Sequence, residues 1–253
     1  MSNVVQKDMW SKPFRTMVVM GESTVQGGPW LTRQEDRWAD VLAKIIDSCQ
    51  AKPLKYHNKG IGANAISPRS PGYASSAKPS ALERYRKDVI ELGPDLFVLC
   101  YGLNDMRAAM DVDEFSEDMQ TIIGDVKDAC SPLTVLTTIY YMTGWRSYPP
   151  YDRGSVELTL VYNDAIRKLA KKNGCILSDL WDAEAGADWL INPDGVHANF
   201  VGNLIIAHRV FRDIAVNCSC LTDATSEQTM DTKWVKDTTA SRKQSGDPFK
   251  KTW

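Results

Sequence analysis

The chain has 253 residues, 30 Lys and Arg against 32 Asp and Glu for a net charge of −2, and 43% apolar residues. A chain of this length buries roughly three quarters of the surface it would expose unfolded, so it needs no metal or disulfide to hold a core. Collagen, coiled coil and overall disorder are excluded by composition, and near-neutral charge offers no general attraction to phosphate backbones or anionic membranes. Nucleic acid is not an expected partner.

The opening segment MSNVVQKDMWSKPFR contains no apolar h-region, and no later apolar stretch is long enough to span a membrane. A cytoplasmic protein without a membrane span is expected, with secretion after removal of a signal as the alternative. Six cysteines lie mostly inside apolar runs without a CxxC pair and read as small apolar side chains, while Cys218 and Cys220 are too close for a relaxed bridge.

Strand-length apolar runs alternate with segments of helical period. The first strand is expected at Met17 to Met20. Thr32-Arg33-Gln34-Glu35 then has the form of a capping box, ahead of a helix whose apolar face is Trp38, Leu42, Ile45, Ile46 and Cys49. A second strand at Leu54 to His57 precedes a short helix around Ser80 to Leu92, and the third strand follows at Asp95 to Tyr101. Phe115, Met119, Ile122, Val126 and Ala129 mark the next helix, before a fourth strand at Leu133 to Tyr140. Leu158, Tyr162, Ile166 and Leu169 mark another, before a fifth strand at Cys175 to Asp179. Asn199 to Val216 closes the series as a helix with Phe200, Leu204, Ala207 and Phe211 on its apolar face.

Almost wholly apolar strands separated by helices require a parallel sheet covered on both sides. The fold class is therefore α/β: a doubly wound, flavodoxin-like three-layer sandwich with a five-stranded parallel sheet. Residues 1–14 read as an N-terminal extension, 15–217 as the α/β domain and 218–253 as a polar tail. Trp234, Phe249 and Trp253 of that tail could pin it to the body or to a second subunit, so a homodimer is conceivable.

In such a sheet, ligands bind beyond the carboxyl ends of the strands, so the strand exits are where chemistry is expected. The first exit is Gly21-Glu22-Ser23-Thr24, where a glycine lets the chain turn sharply and Ser23 could present an attacking hydroxyl; a serine capping the next turn is the plainer alternative. The second is Asn58-Lys59-Gly60-Ile61-Gly62-Ala63-Asn64, with glycines where backbone can approach a ligand. The third, Gly102-Leu103-Asn104-Asp105, brings an amide that could donate to an oxyanion or form an Asx turn. The last is Asn192-Pro193-Asp194-Gly195-Val196-His197, where the acid could accept the imidazole Nδ1–H three residues on and leave Nε2 as a base.

In order and spacing, Gly21-Glu22-Ser23, Asn58 to Ala63, Gly102 to Asp105 and Asp194 to His197 resemble the SGNH, or GDSL-type, hydrolase family over about residues 15 to 216. Tyr162-Asn163-Asp164-Ala165-Ile166 resembles the helix that family carries before its fifth strand. A G-x-S-x-G elbow is not present, because Val25 stands at the second glycine position. The resemblance implies a serine esterase with Ser23, Asp194 and His197 as catalytic residues and Ser23, Gly62, Ala63 and Asn104 as oxyanion donors.

Two departures stand out: Glu22 replaces the usual Asp, and Ala63 occupies the position of the usual oxyanion glycine with Gly62 one place earlier. Which of Gly62 and Ala63 donates is open at this level. No cofactor or metal is expected, since His57, His197 and His208 have no ligand spacing. Loops at Ser67 to Pro79 and Thr143 to Gly154 should border the site, with Trp145, Tyr148 and Trp30 as candidate substrate-binding rings. Polar-tipped aromatics suit a saccharide, so a short-chain acyl ester or a carbohydrate O-acetyl ester is the expected substrate. An acyltransferase of the same fold and a lipase or thioesterase for longer acyl chains are the alternatives.

Overall fold

The computed structural model describes residues 8–222 together with residues 224, 232, 233, 236 and 237. Five parallel strands form one sheet in the order β2-β1-β3-β4-β5: β1 Thr16–Gly21, β2 Lys55–Gly60, β3 Leu96–Cys100, β4 Leu133–Thr137 and β5 Ile176–Ser178. β1 lies between β2 and β3, with Val18 opposite His57 on one side and Phe97 on the other. All residues of β3 and β4 are buried, as the continuous apolar runs require of strands covered on both faces.

One face of the sheet carries α2 (Trp38–Cys49) and α9 (Phe200–Ala215), with α8 (Leu180–Glu184) against α9. The other carries α4 (Ala81–Asp88), α6 (Val112–Cys130) and α7 (Val156–Asn173). Ser80 and Glu83 form a capping box on α4, Asp111 caps α6 and Ser155 caps α7, so the starts of these helices are set by local side chains.

Several sequence expectations change in the assembled chain. Thr32 to Glu35 does not cap α2: Gln34–Asp36 form a turn of 3-10 helix, and α2 begins only at Trp38. The Trp38 amide is taken instead by Asn203 Oδ1 of α9 at 2.9 Å, a cap supplied from a distant part of the chain. The inward face of α9 is Asn203, Ile206, Ala207, Val210 and Ile214, whereas Phe200 is exposed and Leu204 and Phe211 are half-buried. The expected stripe was rotated because Asn203 and Asp213, polar by type, are buried through hydrogen bonds.

Residues 8–14 are part of the body and not an extension. Phe14 is fully buried and stacks on Trp10, while the Met9 amide donates to Asn217 O at 2.8 Å and Asp8 accepts from Ser219. The same contacts carry the packed chain past residue 217, with Cys218, Cys220 and Leu221 buried. All six cysteines are free thiols. Trp234, Phe249 and Trp253 lie outside the described residues. Among the described residues no helix is long and apolar enough to cross a membrane.

Candidate active site

The exits of β1, β2 and β3 and the loop before α9 converge at the carboxyl edge of the sheet, around a cleft of about 520 Å³. Ser23 opens the short α1 (Ser23–Gln26), which starts two residues after β1 ends. Gly21 allows this turn because a side chain there would press on Val25 and on the Cys100 carbonyl.

His197 Nε2 lies 2.9 Å from Ser23 Oγ, and Nδ1 lies 2.7 Å from Asp194 Oδ2. The other carboxylate oxygen, Oδ1, accepts the Val196 and His197 amides at 2.8 and 2.9 Å. Gly195 makes this tight loop possible at φ 74°, and its carbonyl accepts from Thr143 N and Gly144 N. Burial by itself would raise Asp194, but those amides and the imidazole outweigh it and hold the carboxyl below its ordinary range. For His197, burial outweighs the opposing pull of Asp194 and moves the imidazole below its usual pKa, with Arg107 adding in the same direction. A neutral imidazole that donates its Nδ1–H to Asp194 leaves the Nε2 lone pair facing Ser23.

Trp30 stacks flat on His197, with ring centroids 3.6 Å apart and planes 10° apart. It thus touches the imidazole directly, besides lining the cleft. Tyr148 is 63% exposed and also lines the cleft, as does the buried Tyr151. Trp145 does not reach the cleft. Beyond Gly144, which passes against Gly195, its ring packs on Tyr141 and Trp181, with centroids 5.8 and 6.1 Å away. The loop 67–79, which carries α3 (Tyr73–Ser76), meets the loop 143–154 through Tyr151, whose hydroxyl donates to Gly72 O at 3.3 Å.

Gly62 and Ala63 have different surroundings. The Gly62 amide donates to Gln26 Oε1 and its carbonyl accepts from Lys78 Nζ. Ala63 stands in the left-handed region at φ 55°, and its amide donates to no acceptor among the described residues. Asn104, in α5 (Leu103–Arg107), donates through Nδ2 to Asn64 O at 3.1 Å, which leaves its second amide hydrogen available.

Glu22 is fully buried and reaches across to the third exit, where Oε1 accepts Gly102 N at 3.3 Å and Asn104 N at 3.1 Å. Burial, and then the negative charge of Asp105, push this carboxyl well above the usual range. Glu22 thereby ties the serine turn to the Asn104 turn. Sequence reasoning passed over three further neighbours: Gln26, Asn64 and Arg107. A signal existed for Arg107, which follows Asn104 by one helical turn and so shares its face.

The family model for the GDSL-like lipase/acylhydrolase family matches residues 19–204, and the chain belongs to that family. Its members are esterase- and lipase-like enzymes. Solved structures show the same fold at low identity. A lipase/acylhydrolase from Enterococcus faecalis is 20% identical with a TM-score of 0.64, over 79% of this chain and 95% of its own. A carbohydrate acetylesterase from Sinorhizobium meliloti is 16% identical with a TM-score of 0.63, over 80% of this chain and 99% of its own. An acetylxylan esterase from Geobacillus stearothermophilus is 17% identical with a TM-score of 0.60, over 82% of this chain and 96% of its own. No curated protein matches the sequence.

Proposed function

We propose that the chain is a serine carboxylic ester hydrolase for short acyl groups, with a carbohydrate O-acetyl ester as the favoured substrate. The observation that carries this reading is the hydrogen-bonded line Ser23 Oγ, His197 Nε2, His197 Nδ1, Asp194 Oδ2, with spacings of 2.9 and 2.7 Å, opening into the cleft. His197 takes the hydroxyl proton as Ser23 Oγ bonds to the ester carbonyl carbon, while Asp194 holds the imidazole tautomer. The oxyanion receives the Ser23 and Ala63 amides and the free hydrogen of Asn104 Nδ2. Ala63 is preferred to Gly62 because the Gly62 amide is already satisfied by Gln26. The alcohol then leaves with the proton from His197, and water, deprotonated by the same nitrogen, releases the acid and restores Ser23.

A short acyl group is supported by the residue types around the cleft, where Ser23, Gln26, Asn104, Arg107, Ser147, Asp194 and His197 are polar, and Pro29, Ala63 and Val196 are the aliphatic members of its lining. Tyr148 supplies an exposed ring in the same cleft as Ser23, on which a sugar can stack. The carbohydrate acetylesterase and the acetylxylan esterase among the similar folds support this reading.

Hydrolysis of 4-nitrophenyl acetate, butyrate and octanoate by the purified protein and by Ser23→Ala tests the proposal. Acetate is expected to be cleaved best, with a loss of about 10⁴-fold or more in the variant. Equal rates for parent and variant would remove Ser23 as nucleophile, and a preference for octanoate would move the reading to a lipase or thioesterase.

A further inference from the structure

Arg107 ends α5 and forms part of the cleft wall, yet it is only 6% exposed. Nη2 donates to Ser147 Oγ at 2.8 Å, Nε is buried without a partner, and Nη1 makes no hydrogen bond among the described residues. The face of Tyr151 lies 5.8 Å from the guanidinium carbon. No carboxylate among the described residues pairs with it, whereas Arg84, equally buried, has Asp88 at 2.8 Å. A desolvated guanidinium with empty donors is costly unless something supplies acceptors. Arg107 stands where a ligand can do so.

The groups facing Arg107 do not neutralise it. Among carboxylates Glu22 acts on it most, but its carboxyl is pushed toward the protonated form by burial and by Asp105. Burial raises the Tyr140 and Tyr151 phenols above their ordinary range and keeps them neutral, and Asp194, the acid in the cleft lining, is committed to His197. Lys78, whose Nζ rests on the Gly62 carbonyl at 2.6 Å, adds a second positive charge close to the same wall. A purely structural task is also visible: the Arg107 carbonyl accepts Arg153 N, and Nη2 holds Ser147. Neither bond requires a net charge.

We infer that Arg107, on the esterase reading above, selects esters that carry a carboxylate, which receives the free guanidinium N–H groups while the scissile carbonyl sits at Ser23. An acylated acidic saccharide combines this charge with the ring that Tyr148 is suited to receive.

The test uses two ester pairs with the parent, Arg107→Met and Arg107→Lys. For charge on the acyl side, the pair is the 4-nitrophenyl monoester of glutaric acid and 4-nitrophenyl butyrate. For charge on the alcohol side, it is 4-acetoxybenzoate and phenyl acetate. The readout is the ratio of kcat/KM for the anionic ester to that for its neutral partner. Charge-assisted hydrogen bonds are strong enough for Arg107→Met to lower that ratio by about 10-fold or more in at least one pair, mostly through KM, with Arg107→Lys in between. A loosened loop lowers both members of a pair and cancels, so unchanged ratios in both pairs overturn the proposal. Should the parent cleave no ester, the esterase reading fails separately, and calorimetric binding of glutarate to Ser23→Ala decides the anion site. Saturable binding lost in Ser23→Ala/Arg107→Met supports it; binding that is absent or equal in the two overturns it.

Discussion

The Asn104 side of the cleft is held from beneath by groups far apart in sequence, whereas the His197 side is held mainly within one short loop. On the first side, Glu22 joins the Gly102 and Asn104 amides, Asn104 holds the Asn64 carbonyl, and Asn64 Oδ1 accepts from Tyr101 at 2.6 Å. Asp105 accepts the Ile66 amide, and burial pushes its carboxyl up to about 7. On the second side, Asp194 and His197 are three residues apart. Gly195 turns the loop, and Tyr140 secures it through Val196 O at 2.8 Å. A neutral amide aimed at a transition-state charge gains its direction from buried packing. The imidazole instead needs its tautomer and an open Nε2, which a tight acidic loop can supply.

Asn104→Ala breaks the first side most directly. It should lower kcat on 4-nitrophenyl acetate by about 10² to 10³-fold while the protein remains folded by circular dichroism. A loss of less than threefold would take Asn104 out of the oxyanion site. The pH profile examines the second side. Because burial lowers His197 and only the neutral imidazole accepts a proton, the acid limb of kcat/KM should have its midpoint below about 6.5, with activity falling up to about tenfold per pH unit beneath it. A midpoint above that value would mean that the Asp194 interaction dominates.

Trp30→Ala removes the ring stacked on the imidazole. The expected cost is about 2 to 10-fold in kcat/KM, seen with neutral esters and corresponding to about 0.5 to 1.5 kcal/mol of aromatic stacking. No change would reduce Trp30 to a wall of the cleft. Ala63→Gly should have the smallest effect on rate, within about twofold, because the backbone amide persists. It relieves an alanine from the left-handed region, so Tm should rise by up to about 4 °C. A large fall in rate would show that the Ala63 methyl group matters to the site in a way its amide does not.

Much of this site was legible because its key residues are arranged by local rules. A strand run ending in Gly21-Glu22-Ser23 and an acid three residues before His197 each describe a few consecutive residues, and the alternation of runs along the chain placed them at strand exits. The parallel sheet was legible for the same reason, since strands covered on both faces must be apolar throughout. The inward face of α9 was harder to read, because Asn203 serves as a distant cap for Trp38 and is buried against its type. Trp145 was misplaced because aromatic type says nothing of which side of a loop a ring will take.

By itself, then, the sequence determined the α/β order, the family motifs and the residues able to form the Ser23, His197 and Asp194 line. Only the tertiary structure decided which groups remain unsatisfied. Gln26 occupies the Gly62 amide, Glu22 ties two strand exits together, and among the described residues the Ala63 amide has no acceptor and Arg107 reaches the cleft without a carboxylate. The physical reason is range: periodicity and turn chemistry act over a few residues, whereas satisfaction of a buried donor depends on what the folded chain brings beside it.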